Sequence, residues 1–307
     1  MRRILALFAL SLVLIAPRAH AASAAPSGPG HVIQNRGVKL WYEVRGSQTG
    51  RPLVLVNGGP GFDHNYELCS DAWDTIARTR PLVMYDQRGN GRSGALAKGQ
   101  GCTLIDQIDD LDAIRVALGQ EQIDLVGHSF GGYLVMAYAS RHPERVAHLL
   151  ICDSAAPKWT DTEFIFKYIY PESMERQAVF DGRDALGDTL ASAASILEYE
   201  GWLFVSTEKR DEYLAHSGEY HYNRAVNETL NADLEKRDLW PLLPGLTMPT
   251  LVLTGRFDIN VAPSTAWKIH KAIPNSRFVV FEKSGHMPFF EEPEAFARTV
   301  EAFLSRP

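Results

Sequence analysis

Gly127-His128-Ser129-Phe130-Gly131-Gly132 follows the apolar run Ile123-Asp124-Leu125-Val126 and precedes a helix-forming stretch, residues 133–140. Ser129 therefore sits where a strand turns sharply into a helix. A serine in such a turn adopts a strained backbone and packs closely on its neighbours, so small residues are needed on both sides, and Gly127 and Gly131 supply that room. The hydroxyl is then held exposed above the sheet edge, which makes Ser129 a candidate nucleophile.

Working outward from this turn, apolar strand-like runs alternate with amphipathic helix-like runs. Strands are expected at residues 38–44, 52–56, 82–85, 123–126 and 146–152, with helices near 71–77 and 133–140 between them. The helix before the Ser129 strand carries Leu104, Ile108, Leu111, Ile114 and Leu118 at three- and four-residue steps, with Thr103 placed to cap its start. Such alternation implies a mainly parallel sheet with helices on both faces. The rhythm stops over residues 156–243, where the chain turns helix-like, acidic and aromatic, and it resumes with strands at 249–254 and 278–281 and helices at 264–272 and from Pro293. The expected organisation is a core of residues 22–155 and 244–307 with an inserted helical cap, 156–243.

The first 21 residues read differently. Arg2-Arg3 precede a mostly apolar stretch, residues 4–16, and then Ala19-His20-Ala21, a small-x-small cleavage signature. This is the pattern of a secretory signal peptide, too short to span a bilayer and without a cysteine to carry lipid, so export to a periplasmic or extracellular location with no lasting membrane anchor is expected. Cleavage after Ala21 removes Arg2, Arg3 and Arg18 and takes the formal charge from −6 to −9. An acidic mature protein is a poor nucleic-acid binder. In an oxidising compartment Cys69 and Cys102 could form a disulfide, leaving Cys152 buried and inert. No Cys/His spacing has the form of a metal site, and neither metal nor cofactor is expected. Asn227-Glu228-Thr229 is a formal glycosylation acceptor but a short and common string.

A serine hydroxyl is a weak nucleophile at neutral pH and needs a base, with an acid to orient that base. Asp258, in Gly255-Arg256-Phe257-Asp258, and His286, after Gly285, each follow a strand of the C-terminal part, so both can reach the sheet edge that carries Ser129. The chain order Ser129, Asp258, His286 suits an α/β-hydrolase fold. For the developing oxyanion, the expected donors are the backbone N–H groups of Phe130 and of Gly59, in the glycine-rich loop after residues 54–56.

These residues resemble the α/β-hydrolase superfamily and, within it, the proline iminopeptidase family of serine aminopeptidases. The resemblance spans nearly all of the mature chain. Asn57-Gly58-Gly59-Pro60-Gly61 is similar to that family's His-Gly-Gly-Pro-Gly, and residues 85–93, Tyr-Asp-Gln-Arg-Gly-Asn-Gly-Arg-Ser, to its Asp-Gln-Arg-Gly-x-Gly-x-Ser segment. Family members hold a peptide's free amino terminus with cap glutamates. The resemblance points to Glu200, in Tyr199-Glu200-Gly201, and Glu219, in Glu219-Tyr220-His221-Tyr222. Asn57 stands where the family usually has His and Phe130 where Trp is common, both positions expected close to the acyl pocket. Arg88 and Arg92 are expected to order the loop around Asp86 by charge pairing.

Three functions are compatible with this reading: a secreted serine aminopeptidase releasing N-terminal residues, including proline, from short peptides; an esterase or lactonase using the same three residues; and a ligand-binding protein of this fold with little turnover.

Overall fold

A computed structural model describes residues 30–217 and 221–305. The expected signal segment, residues 1–21, and Glu219 lie outside the described residues. Strands β1 (His31–Asn35), β2 (Val38–Gly46), β3 (Leu53–Val56), β4 (Pro81–Asp86), β5 (Ile123–His128), β6 (Val146–Cys152), β7 (Thr250–Gly255) and β8 (Ser276–Phe281) form one eight-stranded sheet in the order β1-β2-β4-β3-β5-β6-β7-β8. The β1–β2 and β2–β4 pairings are antiparallel and all others parallel. The helices are α1 (Asp71–Ala77), α2 (Leu104–Ala117), α3 (Phe130–Arg141), α4 (Phe166–Ile169), α5 (Pro171–Asp184), α6 (Thr189–Glu200), α7 (Thr207–His216), α8 (Arg224–Leu234), α9 (Pro263–Ala272), α10 (Pro288–Glu291) and α11 (Pro293–Leu304).

The apolar strands bury both faces, as parallel strands covered by helices must. Val54, Val56, Val83, Tyr85 and Leu125 point to one side with α2, α3 and α9, while Leu53, Leu55, Leu82, Met84 and Val126 point to the other with α1 and α11. Helix α3 is buried almost all round, because the sheet covers one side and α2 another. Thr103 begins α2 as expected, in a reciprocal capping box with Asp106. Strand β1 has no counterpart in the sequence reading. Its hairpin turns at Arg36-Gly37, both at positive φ (51° and 78°), and arginine is a poor signal for that conformation.

The sheet also explains why no disulfide forms. Cys69 packs with the α1/α11 layer and Cys102 with the α2/α3 layer, so the sheet lies between them and all three cysteines are free. Helices α4–α8 all fall between β6 and β7, which are neighbours in the sheet, so this helical run enters and leaves at one point of the strand edge. Val226, Leu230 and Leu234 of α8 join the core cluster and seat it there. Among the described residues no helix is long and apolar enough to cross a membrane.

Candidate active site

Ser129 sits between β5 and α3 with φ 56° and ψ −119°, a conformation most residues avoid. The turn closes because a Cβ on Gly127 would lie 2.2 Å from the Gly131 carbonyl oxygen, and one on Gly131 would lie 1.9 Å from that of Val56. Glycine is compulsory at both places. The Ser129 N–H is held by the Cys152 carbonyl of β6 (2.9 Å).

Asp258, beyond the end of β7, accepts the Nδ1–H of His286 through Oδ2 (2.7 Å), and its Oδ1 accepts the N–H groups of Asn260 (2.9 Å) and Val261 (2.8 Å). This fixes the imidazole with Nε2 as the free base position. Nε2 is buried and makes no hydrogen bond among the described residues, and His286 and Ser129 line the same small chamber of about 30 Å³. Catalytic bonds of this kind often close only when substrate is seated.

Gly59 lines that chamber too. In its loop the Gly58 N–H is taken by the Tyr66 hydroxyl (2.6 Å), so Gly59 offers the next N–H beside Ser129. Phe130 is the first residue of α3, and its N–H has no acceptor within the helix. Asn57 departs from expectation. Fully buried, it points its Nδ2 at the carbonyls of Gly58 (3.0 Å) and Phe62 (2.9 Å) and lines neither cavity at Ser129. It braces the glycine loop instead, helped by Gln87, whose Nε2 donates to the Asn57 carbonyl (2.8 Å).

The loop around Asp86 is ordered by the expected charge pairing at Arg88 but not at Arg92. Asp86 pairs with His64 (2.6 Å) and accepts the backbone N–H of Arg92 (2.7 Å), while the Arg92 guanidinium lies over the Trp41 ring (4.3 Å). Arg88 makes a bidentate pair with Asp110 (2.6 and 2.7 Å). Burial works against a charge on His64, but its bonds to Asp86 and Glu43 win and raise its pKa to about 9.

Beneath the site lies a buried network for which the sequence carries no recognisable signal. His128 places Nε2 at the His286 carbonyl (2.8 Å) and Nδ1 at the Tyr66 hydroxyl (2.8 Å). Burial, with His286 adding to it, pushes the His128 imidazole well below its usual range. A neutral ring facing a carbonyl must donate from Nε2 and accept at Nδ1, so Tyr66 donates to His128. Its oxygen then accepts from Gly58 and from Glu67 (3.1 Å), which requires a protonated Glu67. Burial raises Glu67 to about 8, in keeping with that assignment.

Glu200, the last residue of α6, is buried and faces the chamber that holds Ser129 and His286. A second cavity of about 330 Å³ opens from Ser129 and Gly59 toward Trp159, Phe164, Phe166, Tyr222 and Asn260. Phe130 does not reach either space; its ring packs edge-on against Trp159 (6.1 Å).

Comparison with known proteins agrees with this fold. The alpha/beta hydrolase fold family matches residues 51–293. The chain is 29% identical to a proline iminopeptidase of Heyndrickxia coagulans, over 83% of this chain and 91% of that one. It is 26% identical to a proline iminopeptidase of Saccharolobus solfataricus, over 88% and 90%. Among solved structures, an esterase of Exiguobacterium antarcticum superposes with a TM-score of 0.72 at 25% identity, covering 91% of this chain and all of that one. With its fold, strand order and family match in agreement, the chain belongs to the α/β-hydrolase fold family and is a hydrolase.

Proposed function

We propose that the protein is an exported serine aminopeptidase that removes N-terminal residues, proline among them, from short peptides. Ser129 Oγ attacks the first carbonyl while His286 Nε2 takes its proton, and Asp258 holds the imidazole and stabilises its charge. The N–H groups of Gly59 and Phe130 receive the oxyanion. His286 returns the proton to the leaving amine, and water, activated by the same base, releases the acyl group. The run of residues 156–243 serves as the lid. Export is inferred from Arg2-Arg3, the apolar residues 4–16 and Ala19-His20-Ala21.

One observation carries the substrate assignment: Glu200 is buried in the chamber that Ser129 and His286 line. The α-ammonium of a peptide lies one carbon from the scissile carbonyl, so its counter-ion must stand beside the nucleophile. A carboxylate there, largely out of water, pairs strongly with an ammonium and favours peptide ends over internal bonds. The cavity of about 330 Å³, which also opens from Ser129, leaves room for the departing part of the peptide. The relatives named proline iminopeptidase support the same reading.

The aromatic wall of the larger cavity, Trp159, Phe164 and Phe166, favours a second reading, an esterase or lactonase taking an apolar alcohol. The deciding measurement is kcat/KM on a prolyl arylamide and its N-acetylated twin, with Ser129→Ala as blank and an aryl acetate as reference. We expect at least a 100-fold preference for the free amine, and a 10- to 100-fold fall for Glu200→Gln on that substrate alone, the loss of one buried charge pair. Equal rates on the two arylamides, or turnover of esters only, would replace this reading with the second.

A further inference from the structure

Asp153 immediately follows β6, the strand between the one that ends at Ser129 and the one that leads to Asp258. It is buried, at φ 44°, a left-handed conformation that aspartate tolerates better than most residues. One of its oxygens accepts the Gly255 N–H (2.8 Å) and the other lies 3.2 Å from the Cys152 thiol. One oxygen from each acid and a ring nitrogen of His286 all lie within 4.8 Å of one another.

Two carboxyl groups with oxygens within 4.8 Å of each other and out of water strongly disfavour a double charge, so the pair holds a proton. The donors around them decide where it resides. Asp258 receives three N–H groups, those of Asn260, Val261 and His286, whereas Asp153 receives one N–H and a thiol. The charge belongs on Asp258. Among the described residues the other titratable groups around the pair are His286, Cys152, Glu291 and Tyr199, with Glu67 behind Cys152, and none but His286 can bring a positive charge. Burial, reinforced by the Asp258 charge, pushes the Asp153 carboxyl far above the usual range.

Building on the proposed Ser129–His286–Asp258 triad, we propose that Asp153 is a positioning residue, a neutral carboxylic acid whose O–H donates to the Asp258 carboxylate. The bond would fix Asp258 from the side opposite His286. By taking up part of its charge, it would also keep the Nδ1 proton on the imidazole during turnover. No proton leaves the Asp153–Asp258 pair in the cycle.

The test uses the full chain on an aryl acetate, which needs the triad but no amine anchor. Asp153→Asn presents an N–H where the O–H stands and cannot ionise. We expect its kcat/KM to stay within about 3-fold of the parent, with the same pH profile, and a neutral-carboxyl C=O band to vanish from the infrared difference spectrum. Asp153→Ala removes the donor. We expect kcat to fall about 10- to 100-fold with little change in KM, and the acidic limb of kcat/KM to move to higher pH, because the unshared Asp258 charge holds the imidazolium more firmly. A loss of 100-fold or more in Asp153→Asn would mean that Asp153 is the anion and would overturn the proposal. Unchanged neutral-carboxyl C=O absorbance on going from the parent to Asp153→Asn, or an unaltered rate and profile in Asp153→Ala, would do the same. Turnover surviving in Ser129→Ala is a separate result, which would remove the triad reading itself.

Discussion

The strand edge of the sheet and the helical insertion between β6 and β7 are built on opposite terms. At the edge, polar groups are buried and specifically paired: His286 with Asp258, His64 with Asp86, Arg88 with Asp110. In the insertion most charges meet at the surface, as Arg183 does with Asp188 and Arg176 with Glu198. A buried pair that loses one member leaves the other uncompensated, whereas a surface pair is exchanged for water at little cost. Under the proposed function, chemistry is assigned to the edge, where atoms are held, and selectivity to the insertion, where an exchanged surface charge costs little. Among the described residues Glu200 is the exception that links them, an insertion residue buried like an edge residue.

The sharpest way to break this contrast is Ser129→Ala, expected to lower hydrolysis of every acyl substrate by at least 1,000-fold while leaving Tm nearly unchanged. Substantial residual turnover would place the nucleophile elsewhere. Next comes the seam between the regions. Glu291 accepts the Val205 N–H of the insertion through Oε1 (2.7 Å), and through Oε2 those of Gly285 (2.7 Å) and Met287 (3.3 Å) on either side of His286. Glu291→Gln turns an N–H₂ toward these donors, so kcat should fall about 10-fold and stability by roughly 1–3 kcal/mol. If kcat holds while stability falls, the seam is structural only.

A third experiment sharpens the contrast through pH. His64 binds its proton more tightly folded than unfolded, 6.5 rising to about 9, so its contribution is complete below pH 6.5 and is lost as pH rises through 9. Glu67, raised from 4.5 to about 8, loses its contribution between those values. Both act in the same direction, and unfolding free energy measured with urea should decline from pH 6 to 9.5, by up to about 3 kcal/mol from His64 alone. Glu67→Gln should flatten the lower part of that decline, and His64→Gln the upper part. The smallest effect belongs to the insertion: Arg183→Ala, which breaks an exposed pair, should shift stability by less than about 0.5 kcal/mol.

The parts of the site legible in the sequence share one property: their signal is local. Gly127 and Gly131 declare the tight turn at Ser129, and the strand ends before Asp258 and His286 declare the edge those residues share. Arg88 orders its loop by charge pairing as expected, but Asn57 and Arg92 do otherwise, because motif membership says that a loop is ordered but not which groups order it. The bonds that do so come from Phe62, Gln87, Asp110 and Trp41, some of them distant in the chain. Tyr66, Glu67, Asp153 and Glu291 gave no signal at all, since each is an ordinary residue until the fold sets it against its partner.

By itself, then, the sequence determined the alternation of strands and helices, the parallel sheet, the helical insertion and the chain order of Ser129, Asp258 and His286 at the strand edge. Backbone propensity and apolar periodicity are short-range properties and can be read along the chain. Tertiary structure alone decided that Cys69 and Cys102 stand on opposite faces of the sheet, that Glu200 shares a chamber with Ser129, and that Asp153 and Asp258 bring oxygens within 4.8 Å of each other out of water. These depend on which residues far apart in the chain are excluded from solvent together, and burial sets the cost of every charge and the place of every proton.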